Sequence, residues 1–190
     1  MSEQEKIPMI HGSADVQTKE IGPGTTIWQS CVILPGAVIG RDCNINAFCF
    51  IENDVLIGDR VTLKCGVYLW DRITLEDDVF IGPGVAFSND NFPRSKRYQR
   101  KLVPTVIKKG ASVGTGSVLK GGITIGEYAL VGVGSIITKD IPAHALYYGT
   151  PAKHQGWVCC CSSKLNTKLK CPVCQLRYKK SDNGLVLINS

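Results

Sequence analysis

Large aliphatic residues recur at every sixth position of this chain, and that period constrains its fold more than any other feature. They stand at Ile21, Ile27, Ile33, Ile39, Ile45, Ile51, Ile57, Leu63, Leu69, Leu75 and Ile81, close with Phe87, and resume at Ile107, Val113, Leu119, Ile125, Val131 and Ile137. Four positions after each comes a small or β-branched residue, such as Cys31, Ala37, Cys43, Cys49, Val55, Val67, Ala111 or Ser117. A helix needs apolar residues near a 3.6-residue period, and a lone amphipathic strand needs a period of two. Period six satisfies neither. It suits an all-β solenoid of short strands and tight corners, in which the large residue and its small partner point inward and Gly, Asp or Asn supply the bends. Three hexads make a triangular coil, so the eighteen hexads predict about six coils, stacked at the strand spacing of ~4.8 Å. Burying these side chains at ~1.5–3 kcal/mol each, an upper bound, suffices for an independent core. Cys31, Cys43 and Cys49 fall at inward positions and read as small core hydrophobes.

Residues eighteen apart stack on successive coils, so one corner can be followed as Pro35, Asn53, Asp71 and Asn89, a polar ladder along one edge. At its top the repeat breaks. Phe87 to Ile107 is twenty residues where six are expected, which expels fourteen, 91–104, as a loop. A corner tolerates such an insertion because no hydrogen bond between coils is lost. The loop carries Arg94, Lys96, Arg97, Arg100 and Lys101 and no acid. It reads either as a solvated excursion or as an anion clamp beside a polar wall, suited to a diphosphate. Beyond it, Gly114 and Gly116 stack with Gly132 and Gly134, leaving a bare edge where an elongated ligand could reach backbone amides, or simply forming tight corners. Lys120, Lys139 and Lys153 lie toward the C-terminal end as cations for a phosphorylated ligand.

Net charge is +6, and the segment from Pro151 onward holds all of it: seven Lys and Arg against Asp182 alone. The preceding residues balance, which argues against a uniformly basic nucleic-acid binder. No apolar stretch approaches the ~20 residues that cross a bilayer, and Met1–Lys6 is polar, so a cytoplasmic location is expected. The nine cysteines include a C-terminal cluster. An odd total argues against a secreted disulfide framework. Cys159 and Cys161, then Cys171 and Cys174, read as C-x-C and C-x-x-C with the spacing of a closed four-thiolate structural Zn²⁺ site, Cys160 being the bystander. The resulting division is a lead-in over 1–20, the solenoid over 21–142, a connector over 143–158 and a zinc-ribbon-like tail over 159–190.

The segments IGPGTT, IGRDCN, IGDRVT, IGPGVA, VGTGSV and VGVGSI resemble the left-handed β-helix acyltransferase superfamily. That resemblance implies a left-handed coil, a homotrimer and active sites between neighbouring subunits. Four longer stretches, IWQSCVILPGAVIG, CNINAFCFIENDVLIGD, LEDDVFIGPGVAFSNDNFPRSK and KKGASVGTGSVLKGGITIGEYALVGVGSIITKDIP, are similar to N-acetyltransferases of nucleotide-linked 3-amino sugars. These use acetyl-CoA and act on thymidine-linked 3-amino-3,6-dideoxyhexoses or uridine-linked 3-amino glucuronates in cell-surface polysaccharide synthesis, including O-antigen. The Gly156-Trp157 pair before the cysteines leans toward the uridine-linked group and the coil segments toward the thymidine-linked one.

The residues can be asked whether they suit that chemistry. Acetylating a hydroxyl requires a general base, usually His. The predicted coils contain none: His11 precedes them, and His144 and His154 follow. A neutral amine already offers a lone pair, so positioning suffices, with Asn89 and Asp90 as the candidate catalytic pair and a backbone amide for the oxyanion. Whether Asp90 or the departing thiolate takes the proton stays open, since a carboxylate of ordinary pKa is a weak base at neutral pH. Asn53 and Asp71 are candidate sugar contacts, Arg94 and Lys96 candidate diphosphate contacts. Trp70 either covers a nucleobase or lines a subunit seam. The acetyl-CoA candidates are Gly114, Gly116, Gly132, Gly134, Lys139 and Lys153. The competing readings are a β-helix scaffold whose basic tail binds nucleic acid, and an O-acetyltransferase. A three-histidine zinc carbonic anhydrase fails on inventory.

Overall fold

A computed structural model describes residues 6–97 and 102–188. A corner arrives in every hexad, so nearly every strand is only two residues long, the first pointing outward and the second inward, as at Val38–Ile39 and Leu56–Ile57. These strands stack in parallel into three faces. The first face runs from Met9–Ile10 through Thr26–Ile27, Asn44–Ile45, Thr62–Leu63, Phe80–Ile81, Ser112–Val113 and Leu130–Val131 to Ala145–Gly149. The second stacks Asp15–Val16, Val32–Ile33, Phe50–Ile51, Tyr68–Leu69, Ala86–Phe87, Val118–Leu119 and Ile136–Ile137. The third stacks Val38–Ile39, Leu56–Ile57, Ile73–Leu75, Thr105–Ile107 and Thr124–Ile125, with Ile21 and Ile141 bridging its two ends.

Seven full turns result, and Ala145–Gly149 begins an eighth, where the period had predicted about six. The added first turn comes from the supposed lead-in: Met9 pairs with Thr26 and Asp15 with Val32. That spacing is one residue short of the repeat, and Met9 and Ile10 remain exposed. Period and burial therefore both fail as sequence signals there. The extra turn also places His11 on a corner of the coil, contrary to the expectation of coils without histidine.

The aliphatic column is buried as predicted, from Ile27 through Leu69 to Ile137, and Cys31, Cys43 and Cys49 lie inside it at 2% exposure or less. Among the described residues no buried side-chain N or O lacks a hydrogen-bond partner. On the corner between the first and second faces, the third residue takes a left-handed conformation, at Ser30, Phe48, Gly66, Gly84, Gly116 and Gly134. Glycine adopts it freely; Phe48, at φ 63°, does so against its bulk.

The corner between the third and first faces carries an acidic seam that the period does not announce. Asp59 accepts the Arg41 amide and Asp77 the Asp59 amide, both at 2.9 Å, tying each turn to the next. The Arg60 guanidinium donates to both oxygens of Asp78, at 2.6 and 3.0 Å, which holds that carboxyl below its ordinary range.

At the C-terminal end Ala152–Trp157 turns back antiparallel on Ala145–Gly149. The tail adds a two-stranded hairpin, Tyr178–Ser181 with Gly184–Leu187. Its small cluster of Cys159, Leu165, Cys171, Tyr178 and Leu185 is separate from the main core. Among the described residues no helix is long and apolar enough to cross a membrane.

Candidate active site

The loop leaves the corner between the second and third faces, and the ladder predicted beneath it is present. Its side chains first serve the coil. Asn53 Oδ1 accepts the Gly36 amide at 3.2 Å, Asp71 Oδ1 accepts the Asp54 amide at 2.8 Å, and Asn89 Nδ2 donates to the Asp71 carbonyl at 3.2 Å. Glu52, unread in the sequence, accepts the Asp71 amide at 2.6 Å. Each step of the ladder thus stitches two turns, which fixes Asn89 and Asp71 as a rigid, half-buried edge.

Asp90 opens the loop as a turn-former. One of its carboxylate oxygens accepts the Phe92 amide at 2.8 Å, and Ser88 Oγ donates to the Asp90 carbonyl at 2.8 Å. The loop's base is seated on the next corner up. Asn91 Nδ2 donates to the Gly121 carbonyl at 3.0 Å. A Cβ on Gly121 would lie 2.6 Å from the Ser88 carbonyl and 3.0 Å from Val103. Gly121 thus seats the base of the loop, a role the sequence expectations did not include; its signal was a glycine where the ladder should continue.

The cationic stretch is less convergent than predicted. Arg94 and Lys96 are exposed, and Arg94 donates to the carbonyl of Pro93 at 3.2 Å, directed at its own loop rather than at the ladder. Among the described residues no carboxylate pairs with Arg94, Lys96 or Arg97. Arg100 and Lys101 lie outside the described residues.

Trp70 stands beside Asp71 with its indole N–H donated to the Phe87 carbonyl at 2.9 Å. Its ring packs against Phe50 and Tyr68, at centroid distances of 5.8 and 6.0 Å. With Ser30, Val32, Phe48 and Cys49 these rings line a groove of about 370 Å³ across the second face. This aromatic groove is built from three successive turns, with Val32, Phe50 and Tyr68 stacked at intervals of eighteen residues.

The glycine pairs occupy a different edge, the corner between the first and second faces. Their amides are committed inside the coil: Gly114 to Val131 O and Gly116 to Pro83 O at 2.9 Å, Gly132 to Tyr147 O at 2.8 Å and Gly134 to Thr115 O at 2.9 Å. The expectation that they offer free amides is therefore corrected. A Cβ on Gly114 would meet the Val133 amide at 2.7 Å and one on Gly132 would meet Tyr148 at 2.7 Å, so these two serve packing. Gly116 and Gly134, with Gly66 and Gly84 below, face open space and form a bare lane. Lys153 pairs with Tyr148 at the head of that lane, whereas Lys139 follows Ile137 on the loop corner. The structure thus brings Asn53, Trp70, Asp71, Asn89 and Asp90 together, and separates them from the glycines by the width of the second face.

None of the histidines reaches Asn89. His11 is exposed on the first turn and bonds Ser13 at 3.0 Å. His144 is buried on the acidic corner with Nδ1 at 3.0 Å from the Val158 carbonyl. His154 is exposed on the returning strand, packed against Tyr147 and Trp157.

In the tail, the sulfurs of Cys159, Cys161, Cys171 and Cys174 all lie within 4.8 Å of one another.

The coil and its period define a class of architecture: this is a hexapeptide-repeat parallel β-helix. Residues 18–53 match the family model described as bacterial transferase hexapeptide (six repeats). Over 84 residues, 43% of each chain, it is 54% identical to the dTDP-3-amino-3,6-dideoxy-α-D-galactopyranose 3-N-acetyltransferase of Aneurinibacillus thermoaerophilus. The chain spans less than half of the length of the curated relatives it matches first. Among solved structures it is similar to a candidate acetyltransferase of Bacillus cereus, with 28% identity, a TM-score of 0.55 and coverage of 82% of this chain and 80% of that one. It is also similar to a hexapeptide-repeat acetyltransferase of Vibrio cholerae complexed with acetyl coenzyme A, with 25% identity, a TM-score of 0.51 and coverage of 64% and 67%.

Proposed function

We propose that the chain is an N-acetyltransferase moving the acetyl group of acetyl-CoA to the 3-amino group of a thymidine-diphosphate-linked 3-amino-3,6-dideoxyhexose. The observation that carries this reading is the rigid Asn89–Asp90 corner, which has a cationic loop above it and no histidine beside it. The similarity to a thymidine-linked sugar 3-N-acetyltransferase and to an acetyltransferase complexed with acetyl coenzyme A supports the two substrates.

In this reading Asn89 and the free side of Asp90 orient the acceptor amine, whose lone pair attacks the thioester carbonyl. A C–N bond forms, the C–S bond breaks, and the ammonium proton passes to the departing thiolate or to Asp90. Asn53 and Asp71 face the sugar, and Arg94 and Lys96 swing onto the diphosphate. Trp70, with Phe50, Tyr68 and Phe48, walls the groove for the pyrimidine.

Acetyl-CoA follows the bare lane of Gly116 and Gly134 toward Lys153, and Lys139 serves the acceptor side instead. One subunit holds lane and loop corner apart, so a homotrimer sets the lane of one copy against the loop corner of the next. The apolar outward residues Tyr68, Val118 and Ile136, each at least 37% exposed, suit that seam. The product is an acetamido sugar nucleotide for surface polysaccharide synthesis in the cytoplasm. The four clustered cysteines hold a structural Zn²⁺ with no open coordination position for catalysis.

The test is thiol release from acetyl-CoA with thymidine-linked 3-amino and 3-hydroxy sugars offered in parallel. Turnover is expected with the amine alone. Turnover with the hydroxyl sugar and none with the amine would replace N-transfer by O-transfer.

A further inference from the structure

The tail has too little core to hold itself. Five residues form its buried cluster, and two of them are Cys159 and Cys171. A cluster that small does not stabilise a fold of this length without a staple. The geometry supplies one. Cys159 and Cys174 place their sulfurs 3.3 Å apart, Cys161 and Cys171 3.6 Å apart, and the pairs converge. Four thiolates around Zn²⁺ at ~2.3 Å stand ~3.8 Å from one another, so the cluster needs little adjustment to close on the ion. The amide of Cys174 already donates to Cys171 Sγ at 3.4 Å.

What the staple holds is visible in the contacts around Tyr178. Its hydroxyl lies 3.1 Å from Cys159 Sγ and accepts the Cys160 amide at 3.1 Å. Its ring packs on His144, with centroids 4.7 Å apart, and His144 stacks on Tyr128 at 5.2 Å. Tyr128 and His144 belong to the corner that ends the solenoid. Backbone bonds run the same way: Ala143 N to Asn183 O at 2.9 Å, Leu185 N to Ala143 O at 3.1 Å, Val158 N to His144 O at 2.8 Å and Leu165 N to Trp157 O at 2.8 Å. The tail therefore attaches to the terminal strand and to the last corner, where an uncapped solenoid would expose pairing groups.

We propose that one Zn²⁺ held by Cys159, Cys161, Cys171 and Cys174 locks the tail as the C-terminal cap of the solenoid, with Tyr178 as the positioning residue that links metal site to coil. This rests on the metal reading of the tail and is independent of the transferase reading.

The experiment uses the full chain as purified. Metal analysis is expected to find one Zn²⁺ per chain, and Co²⁺ exchanged for it to show thiolate-to-cobalt charge-transfer absorption. Cys160→Ser keeps both signals; their loss in that variant would overturn the ligand assignment. Hydrogen exchange is then followed with metal and after chelation. Chelation is expected to speed exchange at Ala143, Val158 and Leu185 by about tenfold or more, leaving mid-coil amides such as Thr62 unchanged. Tyr178→Phe keeps the cobalt spectrum yet exchanges about fivefold faster at the same amides. Bound metal whose removal leaves these amides unchanged, or a Tyr178→Phe variant identical to the parent, would refute the cap and spare the metal site. A chain that binds no metal stoichiometrically would refute both.

Discussion

Asn89 donates to one turn, receives the loop on its carbonyl side and stands beside Asp71, so its side chain is held more rigidly than an ordinary corner residue. Misplacing an acceptor by about 1 Å can cost on the order of 10²-fold in rate. Asn89→Ala is therefore expected to lower kcat/KM for the nucleotide sugar by about that factor, while Lys180→Ala leaves it unchanged; equal losses would remove the loop corner from the site. His144 gives a pH prediction. Burial holds its imidazole below the ordinary value, so as pH falls the unfolded chain takes up the proton first. The stabilisation is complete above about pH 6.5 and is lost as pH drops below it. The wild-type melting temperature is expected to fall as pH drops below about 6.5, and the slope to flatten in His144→Phe; parallel slopes would assign the titration elsewhere. At this scale the ladder was legible because residues eighteen apart must stack. That its oxygens stitch amides was not, since the direction of a hydrogen bond is set by the corner's backbone.

Among the elements, the two-residue strands follow directly from the hexad, and so does the place of the loop. The loop's seating does not, because Gly121 acts through what its missing side chain admits. Gly121→Ala must displace the Ser88 carbonyl or Val103. The variant is expected to raise KM for the nucleotide sugar several-fold with little change in melting temperature; an unchanged KM would mean that the loop's base is not part of the site. Leu69→Ala, by contrast, removes a fully buried side chain and is expected to cost ~2–5 kcal/mol in chemical denaturation. The first turn escaped the sequence because its spacing is a residue short and its apolar residues stay exposed. The acidic seam escaped because alternating Asp and Arg on a corner reads equally as solvated charge.

At the scale of the molecule, the separation of the glycine lane from the loop corner is the feature that period and composition could not reveal. Gly114, Gly116 and Asn89 are close in sequence yet flank opposite edges of one face. If neighbouring copies complete the site, Asn89→Ala and Gly134→Asp are each strongly impaired alone but complement when refolded together. A cyclic trimer assembled from equal amounts regains about a quarter of its sites. Failure to complement would return lane and corner to a single subunit. The proposed chemistry itself is the formation of an amide bond at the Asn89 corner. Transfer of a ¹³C-labelled acetyl group from acetyl-CoA to the thymidine-linked 3-amino sugar, followed by NMR for wild type and Asn89→Ala side by side, tests it most directly. A labelled amide on N3 is expected, appearing about 10²-fold more slowly with the variant; a labelled ester on a hydroxyl, or equal rates from both proteins, would rule out amide formation at this corner.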